Sequence, residues 1–72
     1  MARDVQILGP MIRLGQLLKL SGVADSGSDT KAILAGGEVR VNDEPESRRG
    51  RQLHEGDVVQ VGHEALRVAT RP

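Results

Sequence analysis

The sequence predicts an α+β fold, with two short helices in a hairpin on a small, mostly antiparallel sheet, and three observations predict it. Leucines recur at helical spacing in the first half. The apolar period shortens from about 3.6 residues to about 2 after Gly36 and Gly37, and glycine-containing turns punctuate the second half of the chain. Helices first and strands afterwards set the sheet to one side of the helical pair.

Residues 1–12 mix Gly9 and Pro10 with Val5, Ile7 and Leu8 and have no helical period, so they are a frayed lead-in or a short edge strand. From Arg13 onward, Leu14, Leu17 and Leu18 fall at i, i+3 and i+4, a short amphipathic helix ended by Gly22. In "ADSGSDTKAILAGG", Ser26 precedes Asp29 by three residues, an acid-ended capping box. The stripe Thr30, Ile33 and Leu34 comes next, giving a second helix from about Ser28 to Ala35 that the two glycines terminate. Val39 and Val41 then alternate with Glu38, Arg40 and Asn42 as a half-buried strand, and "NDEP" turns the chain. Val58 to Val61 and Ala65 to Val68 form a hairpin across Gly62 and His63, and Thr70, Arg71 and Pro72 are a loose tail. Leu17, Leu18, Ile33, Leu34, Val39, Val41, Val59 and Val61 are the expected core.

A chain of 72 residues has room for one domain, here 1–72 with its core at about 12–68, and buries only about 60% of its unfolded surface. There is no cysteine, which excludes disulfides and thiolate metal sites. There is no Phe, Tyr or Trp either, which excludes base stacking on aromatic side chains. No apolar run approaches the roughly 20 residues of a membrane span, and "MARDVQILGPMIRLG" lacks the order of a secretory signal, so a cytoplasmic monomer is expected. Ten Lys and Arg balance ten Asp and Glu, so any electrostatic function must be local.

Local cationic groups are present. "ESRRGRQL" sets Arg48, Arg49 and Arg51, whose guanidinium forks suit phosphate oxygens, around Gly50. Lys31 lies early in the second helix, where Ser26 and Ser28 add hydroxyl donors to a helix start that favours an anion. Each has a plainer explanation. Ser26 caps the helix, Lys31 is solvated beside Asp29, and Lys19 covers the core edge. Arg40 pairs across the sheet, and the arginine run is neutralised by Glu44 and Glu46. His54 and His63 lack the spacing of a ligand pair, so neither catalysis nor a metal is expected, and no glycine pattern cradles a cofactor.

Taken in order, "LGQLLKLSGV", "SGSDTKAIL", "GGEVRVND" and "EGDVVQV" resemble the S-four type RNA-binding domain, or alpha-L motif, over about residues 12–68. Within that family the chain is most similar to small stand-alone YbcJ-like members, through "LLKL", the "SG" before the second helix and the basic run after Glu46. Gly27 stands where larger members often carry arginine, which removes one phosphate contact. The resemblance implies an alpha-L hairpin and a non-enzymatic protein that binds structured RNA, ribosomal RNA or another folded RNA, through phosphates and shape. Carried over residue by residue, the RNA-binding set is Lys31, Arg48, Arg49, Arg51, Arg40, Ser26 and Ser28, with Lys19 added from its place on the first helix. The rival expectation is a protein-interaction module of a ribonucleoprotein or other cytoplasmic complex, favoured by the net neutrality.

Overall fold

The computed structural model describes residues 2–70. In chain order the elements are β1 (Arg3–Ile7), β2 (Ile12–Arg13), α1 (Leu14–Leu20), α2 (Gly27–Ala35), β3 (Val39–Val41), β4 (Glu44–Pro45), β5 (Gln52–Leu53), β6 (Val58–Val61) and β7 (Glu64–Thr70). The main sheet runs β1-β7-β6-β3-β4, and β2 pairs with β5 in a separate two-stranded ribbon. All pairings are antiparallel except β1 with β7, so the fold is α+β with a mixed, mostly antiparallel sheet.

Each helix results from its apolar stripe and its ends. Leu14, Leu17 and Leu18 are completely buried, and Gly22, at φ +84°, turns the chain out of α1 in a region costly to any residue with a Cβ. Ser26 is the N-cap of α2, its hydroxyl accepting from the Asp29 amide at 3.2 Å. The reciprocal arm of the capping box lands one residue early, because the Asp29 carboxylate accepts from the Asp25 amide instead of that of Ser26. Thr30 is buried with its hydroxyl donated to the Ser26 carbonyl, which lets a polar side chain enter the core without an unmet bond.

Side-chain alternation gives the sheet one wet and one dry face. Val5, Ile7, Val39, Val41, Val59, Leu66 and Val68 join the helical leucines, Ala24 and Leu53 in one core. Ile33 and Val61, expected in that core, pack against it half-buried. Arg40, Gln60, Arg67 and Asp4 alternate onto the opposite face, where Arg67 and Asp4 pair at 2.7 Å.

Some expectations change. Of the two readings of the lead-in the edge strand is the one observed, and the core begins upstream of residue 12, at Val5 and Ile7. Thr70 is not loose but ends β7 opposite Ile7, while Arg71 and Pro72 lie outside the described residues. The turn after β3 is confined to Asn42 and Asp43, at φ 51° and 70°, so Glu44 and Pro45 already return as β4. The ribbon of β2 and β5 has only two residues per strand, too short for any alternation to announce it. Among the described residues no helix is long and apolar enough to cross a membrane.

Asn42 explains why the strand ending in Asn and the later Gly-Asp belong together. Its side chain accepts from the Val58 amide at 3.0 Å and donates to the Asp57 carboxylate at 3.1 Å. Burial acts to raise the Asp57 carboxyl, but the His54 amide, the Asn42 side chain and the His54 and Arg51 charges hold it below its usual range. Replacing Asn42 with Ala removes both bonds and puts a poorer residue in the left-handed region. The expected loss is about 2 kcal/mol, read as a lower urea midpoint at unchanged slope.

Candidate nucleic-acid interface

The segment from Glu46 to Arg51 is folded against the start of α1 by its own backbone. The Leu14 amide donates to the Arg51 carbonyl at 2.8 Å and the Gly15 amide to the Arg49 carbonyl at 2.9 Å. These amides open a seven-residue helix and have no partner within it, so the loop does what a capping side chain does elsewhere. Arg13 adds a bond from its guanidinium to the Gly50 carbonyl at 3.2 Å, and the Gln16 side chain accepts from the Arg13 amide. Gly15 makes the approach possible, since a Cβ there would lie 3.2 Å from the Arg49 Cβ and 3.4 Å from Thr30 Cγ2.

Glu46 shapes the loop from within. Its side chain is only 8% exposed, and its carboxylate accepts from the Ser47 and Arg48 amides at 3.1 and 3.0 Å. The Arg48 guanidinium adds a two-pronged contact at 3.1 and 3.2 Å, and Arg51 adds one at 2.9 Å. The Arg48 side chain, then its amide, with help from Arg51 and against some burial, lowers the Glu46 carboxyl to about 2. The three arginines are therefore not equivalent. Arg48 and Arg51 direct donors at Glu46, whereas Glu44 pairs with neither. Arg49 has no side-chain hydrogen bond or ion pair among the described residues.

Arg49 also lies between two recesses free of acidic side chains. One, of about 300 Å³, is shared with Arg13, Lys19, Gln16, Thr30 and Gly27, between the starts of the two helices. The other, of about 200 Å³, is shared with Lys31, Leu34 and Ser47. Lys19 and Lys31 are exposed and unpaired among the described residues, so Lys19, Lys31 and Arg49 form a cationic strip extended by Arg13. Arg48 and Arg51 face a third recess, with His54 and Asp57.

The remaining candidates fall elsewhere. Ser26 is engaged as a cap, and Ser28 is exposed in the first turn of α2. Arg40 stands on the wet face of the sheet, away from the strip, and its contact is not with an acid but with the Asp43 carbonyl at 3.5 Å. Arg13 and Gly15 are the residues sequence reasoning missed. Arg13 directly precedes the leucine stripe, yet nothing in its neighbours announces a partner 37 residues away. Among the described residues no group of three or more His, Cys, Asp or Glu is placed to hold a metal ion.

A family model described as an S4 domain matches residues 5–69. The chain is also 52% identical over 61 residues to the "Probable ribosome maturation protein RlbA" of Bacillus subtilis (strain 168), covering 85% of this chain and 86% of that protein.

Because the Glu46 carboxyl is depressed in the folded state, its contribution to stability is complete above its ordinary value of 4.5 and is lost as pH falls toward about 2. Glu46→Gln should lower the melting temperature by a few degrees at pH 7. The gap from the parent protein should narrow at pH 3, measured by thermal unfolding at both values; a constant gap would show that the charge is immaterial.

Proposed function

The chain belongs to the S4 domain family, and from that premise we propose that it binds structured RNA, ribosomal RNA first, by gripping phosphates and fitting shape. The helical pair with its docked loop then acts as an alpha-L hairpin. Arg49 carries the reading: it is the arginine of the run that leaves its whole fork for a ligand, and cations flank it on both sides. Lys31 and Lys19 supply the neighbouring charges, with Ser28 as a hydroxyl donor near Lys31. Arg48 and Arg51 serve first by holding the loop through Glu46, and present their outer donors second. Arg40 is left outside the contact surface.

The similarity to a ribosome maturation protein supports a ribosomal target. A chain without aromatic side chains lacks the aromatic platforms on which runs of splayed single-stranded bases stack, which favours helical or tightly folded RNA. The proposed role is binding without catalysis, by a monomer in the cytoplasm.

Two measurements test this. Engaging about three to five phosphates gives a logarithmic salt slope of about −2 to −4 for a ribosomal RNA hairpin, and a salt-insensitive isotherm would rule the mechanism out. In filter binding, Arg49→Ala and Lys31→Ala should each weaken retention several-fold, and more than Arg40→Ala does. Retention unchanged by the first two would favour a protein-docking module in which the cations only steer.

A further inference from the structure

The larger recess beside Arg49 is concave, holds about 300 Å³ and is walled by the starts of both helices and by the loop. That volume is at the lower end of the range for small-molecule pockets. The phosphates of a regular RNA helix follow a ridge and meet a protein at its surface, so a paired strand covers such a hollow without filling it. A nucleotide turned out of the stack can enter.

The lining suits that ligand. Arg13, Lys19 and Arg49 bring three positive charges and no acid. Arg13 is already held by its bond to the Gly50 carbonyl, so its guanidinium plane is oriented before anything binds. Guanidinium planes take unstacked bases, and Gln16 and Thr30 add polar groups to the wall. Gly27 leaves the space open: it lines the recess, and a Cβ placed there would meet nothing within 4 Å. We propose that this recess receives one extruded nucleotide of the bound RNA, its phosphate held by the cations and its base laid on a guanidinium. The proposal rests on the RNA-binding reading above and adds to it a preference for stems interrupted by an unpaired nucleotide.

Gly27 allows a test that leaves the cations in place. Fluorescence anisotropy would compare two hairpins of one stem, fully paired or carrying a single unpaired nucleotide, with each of the four bases tried. The parent protein should bind at least one interrupted hairpin about fivefold to tenfold more tightly than the paired one. Gly27→Leu, which adds a bulky side chain to the recess wall, should abolish that preference while changing affinity for the paired hairpin far less. Gly27→Met repeats the test should the leucine variant prove unfolded by circular dichroism. Equal parent affinities for paired and all interrupted hairpins, or a filled recess that weakens both alike, would overturn the proposal and leave RNA binding standing. Failure to bind any hairpin would overturn the underlying reading as well. Displacement of the interrupted hairpin by micromolar free nucleoside monophosphate would reassign the recess to a small molecule.

Discussion

Two backbone hydrogen bonds, from the Leu14 and Gly15 amides to the Arg51 and Arg49 carbonyls, hold the arginine loop and the start of α1 together. Helix α1 has seven residues, well under the length at which an isolated helix persists in water, so its existence depends on what packs against it. The core supplies one anchor through three fully buried leucines. The loop supplies the other, and the dependence runs both ways: without the helix start to receive them, the loop's carbonyls would have no reason to face inward and its arginines would have no fixed direction.

Zero net charge coexists with a local cationic strip because the acids are placed elsewhere. Glu46 is turned inward, where its carboxylate organises Arg48 and Arg51. Asp4 is occupied with Arg67 on the far face of the sheet, and Asp57 with Asn42 and the His54 amide. Asp29 points its carboxylate back at the Asp25 amide and makes no ion pair with Lys31. Counting charges along the chain misses this sorting, which happens only when the elements pack.

Much of the fold was legible where a period and a stop signal coincide. The leucine spacing and flanking Ser and Gly place both helices within a residue or two, and Val39, Val41 and Val59 alternate strongly enough to declare their strands. Strand β1 was not legible as part of the core, because its partner lies at the other end of the chain and the parallel pairing has no turn between to mark it. The arginine run was legible as a cluster but not as a hierarchy. Both Glu44 and Glu46 stand close in sequence. The choice of Glu46 over Glu44 is made by backbone: Glu44 is held in β4, while Glu46 begins the loop with its amide bonded to the Val39 carbonyl and its side chain turned in. Arg13 and Gly15 escaped notice because their roles are contacts across long sequence distance.

The parallel seam between β1 and β7 bears on how the chain assembles. Asp4 and Arg67 meet across 63 residues, so closing this seam carries the largest loop-entropy cost in the molecule. On a growing polypeptide β1 emerges first yet has nothing to pair with until β7 has been made. The helices, the arginine loop and strands β3 and β6 can meanwhile assemble from nearer neighbours. The cationic strip is therefore free to take shape before the seam closes.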